Sequence, residues 1–332
     1  MVEIRLEAVR AARTRIAPYV RRTPVAPMPH LTAEVPAQLR LKLENLQVSG
    51  SFKARGVFNN LLLAEPDALA RGVICASGGN HGLALAYAAH RLGVPATVFL
   101  PEAATADRIA RVESWGAHCI RFGASYDDAH REALVYAREH DLIYVEAFES
   151  EPTLVGQATL GMELLEDLPE MDAVFIAIGG GGLIAGMAAA IKQIKPAVRI
   201  IGIEPVGAPS MKSAVEAGVP VELSAVRTIA DTLSARRVGA MTLALTQRYV
   251  DDIVLVGDGA MIDGMQWLWR HINQMVEPSA AASIAAIQRG LIDLSAYRCP
   301  VALICGGNAA AEGVWTYYEW LAGTKGTLEE DI

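Results

Sequence analysis

Ala173-Val174-Phe175-Ile176-Ala177-Ile178-Gly179-Gly180-Gly181-Gly182-Leu183-Ile184-Ala185-Gly186 is an apolar run, four glycines and then a second apolar, alanine-containing run. The first part suits a buried strand and the last part a helix, so the stretch predicts strand, glycine loop, helix. Ala173 to Ile191 is also long and uncharged enough to suggest a membrane span. Four consecutive glycines at its middle divide it into two short halves and argue against that alternative. A loop of this composition lets backbone amides wrap a phosphate closely.

The same plan recurs upstream. In Val73-Ile74-Cys75-Ala76-Ser77-Gly78-Gly79-Asn80-His81-Gly82-Leu83-Ala84, an apolar run leads through a glycine-rich turn into an alanine-rich helix. The unpaired N–H groups and the dipole of such a helix start favour a carboxylate or a phosphate. Taken alone, either loop is equally a packing device of an α/β fold. A third stretch, Leu41-Lys42-Leu43-Glu44-Asn45-Leu46-Gln47-Val48-Ser49-Gly50-Ser51-Phe52-Lys53-Ala54-Arg55-Gly56, runs from an alternating strand pattern through a Ser-Gly turn to a lysine. That places Lys53 at a strand-to-helix junction, where its amine can be held and can carry a cofactor aldehyde. By itself, a lysine in a turn reads as a solvated surface charge.

Strand and helix signals alternate along the chain, which predicts parallel sheets covered by helices. Strand-like runs at Val73 to Ala76, Ala96 to Leu100, His118 to Phe122 and Ile143 to Val145 are separated by helical stretches at Leu83 to Arg91, Ala106 to Trp115 and Tyr126 to Glu139. These four units read as one small doubly wound domain. A second series, Ala173 to Ile178, Ile200 to Ile203, Ile253 to Val256 and Val301 to Ile304, makes a larger sheet. The expected organisation is a large domain of residues 1–70 and 148–325 and a small domain of 71–147. No internal repeat is visible, and the acidic Leu328-Glu329-Glu330-Asp331 end reads as frayed.

The 332 residues are 52% hydrophobic, enough for a large core and about two domains. Acidic residues number 37 against 29 basic, a net charge of -8 without a Lys/Arg cluster, which argues against a nucleic-acid surface. Cys75, Cys119, Cys299 and Cys305 sit in or beside apolar runs without Cys-x-x-Cys spacing, so neither zinc nor a disulfide framework is expected. The thiols suit a reducing cytosol. Met1-Val2-Glu3-Ile4-Arg5-Leu6 carries charges throughout and lacks the apolar stretch of a signal peptide. The seven histidines show no metal spacing.

The three stretches in this order, followed by Val301-Ala302-Leu303-Ile304-Cys305-Gly306-Gly307-Asn308, resemble the fold type II pyridoxal-phosphate enzymes. The resemblance is to their serine/threonine dehydratase and serine racemase branch. That pattern runs Glu-Asn-Leu-Gln, Gly-Ser-Phe-Lys, Arg-Gly, Ser-Gly-Asn-His, a tetraglycine loop and a Ser-or-Cys-Gly-Gly-Asn. The likeness covers nearly everything from Arg22-Thr23-Pro24 to Asn308. It implies two doubly wound parallel-sheet domains of the tryptophan synthase β-like kind, with the cofactor in the cleft between them. The chain would enter the large domain, visit the small one and return.

The resemblance also implies roles. Lys53 would carry pyridoxal 5'-phosphate as an imine and, once freed by the amino acid substrate, remove the Cα proton. Burial must lower the amine's pKa for this, and Phe52 would assist while packing on the cofactor ring. The phosphate would lie on Gly179, Gly180, Gly181, Gly182 and the Leu183 amide. Ser77, Gly78, Gly79, Asn80 and His81 would hold the substrate carboxylate, with the Asn80 side chain at the cofactor's phenolic oxygen. Cys305 would face the pyridine nitrogen. A neutral thiol there, unlike an aspartate, makes the ring a weaker electron sink and favours loss of a β-leaving group. Without the Gly306-Gly307-Asn308 context, Cys305 reads equally as a small buried apolar residue.

Departures from the pattern carry information too. The racemases have a serine immediately before Gly-Asn-His, on the far face of the cofactor, and Gly78 stands there. Racemisation should therefore be feeble. Glu204, Ala208 and Ser210 fall where some members bind a divalent cation, but Ser210 replaces an aspartate and leaves the site short of charge, so magnesium is disfavoured and a monovalent ion stays open. Thr232 stands where relatives place Gly or Ala, close to the ring. Glu277, in Glu277-Pro278-Ser279, reads either as a site residue or as a surface helix cap.

The expected activity is removal of water from a β-hydroxy amino acid, with threonine and serine the default substrates and phenylserine or 3-hydroxyaspartate open. A β-replacement enzyme of the cysteine synthase kind is the alternative, and a non-catalytic amino-acid sensor a more distant one. A nicotinamide site is disfavoured because Gly179 to Gly182 lacks the Gly-x-Gly-x-x-Gly spacing and its acidic partner. A cytoplasmic homodimer in amino-acid catabolism, without an added regulatory domain, completes the expectation.

Overall fold

The computed structural model describes residues 3–27 and 38–308. The first half contains α1 (Leu6–Ile16), β1 (Val25–Pro27), β2 (Arg40–Leu43), α2 (Lys53–Leu61), α3 (Pro66–Arg71), β3 (Val73–Ala76), α4 (Asn80–Leu92), β4 (Ala96–Leu100), α5 (Ala106–Glu113), β5 (His118–Arg121), α6 (Tyr126–Glu139) and β6 (Ile143–Tyr144). There follow α7 (Glu151–Asp167), β7 (Ala173–Ala177), α8 (Gly182–Ile194), β8 (Arg199–Pro205), α9 (Ser210–Ala217), α10 (Ala240–Tyr249), β9 (Asp252–Val256), α11 (Asp258–Ile272), α12 (Pro278–Gln288) and β10 (Pro300–Ile304). The expected acidic end at Leu328–Asp331 lies outside the described residues. Among the described residues no helix is long and apolar enough to cross a membrane.

β7 is buried at every position because β10 and β8 flank it and helices pack on the sheet it shares with them. This explains its unbroken Ala-Val-Phe-Ile-Ala sequence, since a parallel strand covered on both faces has no solvent side to make polar. The six-stranded sheet has the order β1-β2-β10-β7-β8-β9, and every neighbouring pair is parallel except β1 with β2. Between β2 and β7 the chain builds a second, all-parallel sheet in the order β5-β4-β3-β6. The architecture is α/β with two parallel-sheet layers, as the alternating signals predict.

α2 joins the two layers. Val57, Phe58 and Leu61 enter the core beneath the four-stranded sheet, together with Val73, Cys75 and Val98. Its other side meets α7, where Gly56 and Gly156 allow close approach; a Cβ on Gly156 would come within 2.6 Å of the Arg55 carbonyl oxygen.

A buried ionic network also fixes this helix. Arg55 clasps Glu44 through Nε and Nη2, each at 2.8 Å, and reaches Glu163 through Nη1 at 3.0 Å. Lys42 reaches Glu163 at 2.6 Å, Asp167 at 2.8 Å and the Thr23 carbonyl at 2.8 Å. The Thr23 hydroxyl completes Glu44 at 2.5 Å. Each charge meets an opposite one, which makes such burial tolerable.

Candidate active site

A cleft of about 1320 Å³ is lined from both sheets. Its walls include the segments that follow the carboxyl ends of β2, β3, β6, β7 and β10, where open parallel sheets bind ligands. Lys53, Phe52, Ser77 to His81, Gly179 to Gly182, Leu183 and Cys305 all line it, so the residues singled out in four distant stretches share one space.

Lys53 opens α2 after two short 3-10 turns, which the sequence pattern did not show between β2 and the lysine. Ser49 and Gly50 in those turns have φ of 60° and 73°. A Cβ on Gly50 would lie 2.4 Å from Asn308 Oδ1, so glycine is required on both counts. Phe52 N–H donates to the Cys305 carbonyl at 3.1 Å and Ser51 bridges to Gly306, which stitches the lysine turn to the end of β10. The Lys53 amine donates to the Ala147 carbonyl at 2.7 Å and, among the described residues, meets no carboxylate at salt-bridge distance. Desolvation lowers its pKa to about 8, against the opposing pull of Cys305, Cys75 and Glu277.

The glycine loop after β7 is a cradle that no side chain can enter. A Cβ at Gly180 would lie 2.4 Å from the Phe148 ring, at Gly182 2.8 Å from Phe148 Cβ, at Gly179 2.7 Å from the Thr232 carbonyl and at Gly181 2.4 Å from Met211 Cε. The loop therefore presents backbone amides, and no side chain caps the first turn of α8. That combination fits a phosphate.

On the opposite wall, Gly79 N–H donates to Ser77 Oγ at 3.2 Å and α4 begins at Asn80. His81 Nε2 faces the Val145 carbonyl at 2.8 Å, while its buried Nδ1 has no partner among the described residues. Desolvation, with Lys53 adding to it, lowers its pKa to about 3, so the ring is neutral at physiological pH.

Cys305 is buried at the base of the cleft, where burial and then Glu277 push its thiol pKa well above the ordinary value. Glu277 stands at the N-cap of α12 without capping it. It turns inward and accepts from Asn80 Nδ2 and Ser279 Oγ, each at 2.7 Å, from Asn308 N at 3.2 Å and from Thr232 Oγ1 at 3.4 Å. Burial raises its pKa against these bonds. Of its two sequence readings, the geometry gives a place beside the site.

Glu204 lies away from the cleft lining. Its carboxylate takes the N–H groups of Met211 at 2.7 Å and Lys212 at 2.9 Å and the Ser210 hydroxyl at 3.4 Å, and Ser210 N donates to the Ala208 carbonyl at 3.0 Å. Both oxygens thus serve the first turn of α9. Among the described residues no group of three or more His, Cys, Asp or Glu is placed to hold a metal ion.

Two contributors had no sequence signal. Ala147 acts through its backbone carbonyl, and Phe148 acts by walling the glycine loop. Their position just after β6 is the one pointer to them. The half-buried amine, the amide cradle and the neutral thiol together fit pyridoxal phosphate: one end needs an amine, the other an anion site, and the ring needs apolar walls.

Comparison with known proteins agrees. The chain is 38% identical over 310 residues to phenylserine dehydratase from Ralstonia pickettii, covering 92% of this chain and 94% of that protein. It is 35% identical over 301 residues to L-threonine ammonia-lyase from Geobacter sulfurreducens, covering 90% and 74%. Among solved structures, maize serine racemase superposes with a TM-score of 0.89 at 33% identity, over 98% of this chain and 99% of that one. Residues 16–306 match the family described as pyridoxal-phosphate dependent enzyme, and on the strength of that match the chain belongs to this family.

Proposed function

We propose that the protein removes water from a β-hydroxy amino acid such as threonine or serine, giving an enamine that tautomerises and is hydrolysed by water to a 2-oxo acid and ammonia. The observation that carries this reading is Cys305, a buried thiol kept neutral where a carboxylate would hold a proton on the cofactor ring. When bound, pyridoxal phosphate would supply an electron sink for the substrate's Cα, and the neutral thiol of Cys305 at its ring would leave that sink weaker than a carboxylate would. Loss of the β-hydroxyl as the Cα proton departs is then the favoured outcome.

The chain's own residues divide the work. Gly179 to Leu183 hold the phosphate, the Ser77 to His81 loop holds the substrate carboxylate and Phe52 walls the ring. Lys53 anchors the cofactor and afterwards takes the Cα proton at Nζ, a task suited to an amine whose pKa is about 8. Gly78 offers no hydroxyl at the position where racemases carry their serine, which disfavours the route to the mirror-image amino acid. The dehydratase and ammonia-lyase names of two relatives support elimination, while the likeness to a serine racemase makes racemisation the competing outcome.

The free thiols suit a reducing compartment, and we place the enzyme in the cytoplasm as a homodimer acting in amino-acid catabolism. The test is a panel of threonine, serine, phenylserine and 3-hydroxyaspartate in both configurations, with 2-oxo acid detection and chiral chromatography on the same samples. The expected result is 2-oxo acid and ammonia from at least one compound, with little inversion of the unreacted substrate. Inversion without 2-oxo acid would overturn the assignment.

A further inference from the structure

Arg111 is half-buried on α5 and does not line the cleft, yet it ends a hydrogen-bond chain that reaches into it. Its Nη2 donates to Asn308 Oδ1 at 2.6 Å and its Nη1 to the Asn308 carbonyl at 3.2 Å. A guanidinium has donors and no acceptor, so Asn308 must turn its amide oxygen toward Arg111. The Asn308 NH2 group then points inward, donating to the Ser49 carbonyl at 2.6 Å and to Asn80 Oδ1 at 2.9 Å. With its oxygen committed, Asn80 turns its own NH2 toward Glu277, donating to Oε1 at 2.7 Å.

A carboxamide can be flipped end for end at almost no steric cost, so its direction is set by its partners. Here a donor-only cation stands at one end of the chain and an acceptor at the other, and each amide between them has one consistent orientation. The NH2 group of Asn80 has two hydrogens and Glu277 uses one. The second is available to the cleft that Asn80 lines.

We propose that Arg111 is a positioning residue: acting through Asn308, it sets the polarity of the Asn80 carboxamide so that Asn80 offers the cleft an N–H and not a carbonyl oxygen. The recipient is an anionic oxygen, and on the reading of the cleft as a pyridoxal-phosphate site it is the cofactor's phenolic oxygen. The inference therefore rests on that reading. Arg111 makes no direct bond to the glycine loop or to Lys53, so its loss weakens and reorients the cofactor without removing the anchor.

The experiment uses the apoprotein titrated with pyridoxal phosphate, followed by intrinsic fluorescence for affinity and by the absorbance maximum of the bound cofactor. Arg111→Glu reverses the end of the chain from donor to acceptor. It should weaken binding about tenfold, a loss the size of one charge-assisted hydrogen bond, and move the absorbance maximum. Arg111→Lys keeps a donor and should stay within about threefold of the parent with its maximum unmoved. On an Asn80→Ala background, Arg111→Glu should cost nothing further, since its intermediary is gone. Should Arg111→Glu fail to fold, Arg111→Gln, whose amide can face either way, should give a smaller shift of the same sign and the same dependence on Asn80.

Equal losses with and without Asn80, or a fall in thermal midpoint with affinity and absorbance unchanged, would overturn the proposal in favour of a purely structural arginine. If the parent itself takes up no pyridoxal phosphate, it is the cofactor reading that fails. If the parent binds and the Arg111 variants are silent, the relay alone fails.

Discussion

Lys53 and Arg55 are two residues apart on the first turn of α2, and the protein treats their charges in opposite ways. Arg55 is enclosed among Glu44, Glu163 and the rest of the ionic network, and although burial opposes its charge, these partners more than offset it and hold its pKa above the ordinary value. Glu44 answers in kind, its pKa lowered by Arg55 against full burial. Lys53 opens on the cleft, finds one backbone carbonyl at 2.7 Å and has its pKa lowered to about 8. Removal from water is common to both. What differs is pairing, and pairing decides whether a desolvated charge becomes a fixed strut or a reactive group.

The largest effect should come from the unpaired member. Lys53→Ala should lose about 10³-fold or more of the elimination rate and the yellow absorbance of bound cofactor. Its apoprotein should melt no lower than the parent, because no ion pair is broken. Yellow colour or substantial turnover in the variant, read by absorbance and 2-oxo acid release, would move the anchor elsewhere.

Arg55→Met should do the reverse. It leaves Glu44 buried without a cation, which costs about 3–5 kcal/mol of stability in urea denaturation of the apoprotein. The parent should also show acid sensitivity that this variant lacks. Glu44 has its folded-state pKa lowered by Arg55 against burial, so its contribution is present above the ordinary carboxylate range and is lost as pH falls through the folded value. Equal destabilisation by Lys53→Met and Arg55→Met would erase the contrast between the two regions.

A smaller effect is expected at the opposite wall. A Cβ on Gly78 would lie no closer than 3.6 Å to any neighbour, at Leu100 Cδ2, and its φ lies outside the left-handed region, so Gly78→Ser fits without strain. The added hydroxyl should raise racemisation relative to elimination about tenfold, measured by chiral chromatography beside 2-oxo acid release. An unchanged ratio would mean that position 78 does not govern the second proton transfer.

Much of this arrangement was legible in the sequence, because strand, glycine loop and helix leave local marks. Predicted strands at Val73 to Ala76 and Ala96 to Leu100 coincide with β3 and β4, and Ala173 to Ile178 overruns β7 by one residue. β1 left no comparable mark, being three residues long and ending in proline. Strand order was illegible as well: β10 lies between β2 and β7 although some 250 residues of chain separate it from β2. At the site, Lys53, the two loops and Cys305 could be found because each sits in a distinctive local run. The bonds from Glu277 to Asn80 and from Arg111 to Asn308 each join residues 197 positions apart, and spacing carries no trace of them. The ionic network was hidden for the same reason, since Lys42 and Glu163 stand 121 positions apart.

Lys53 is a desolvated amine with no ion-pair partner among the described residues, and its titration tests this most directly. Only the neutral amine attacks the cofactor aldehyde, so the rate at which apoprotein captures pyridoxal phosphate should rise about tenfold per pH unit and level off near the amine's pKa. Stopped-flow absorbance across alkaline pH should place that break at about 8. A rate still climbing toward the ordinary lysine value of 10.5 would show that Lys53 is solvated or paired after all.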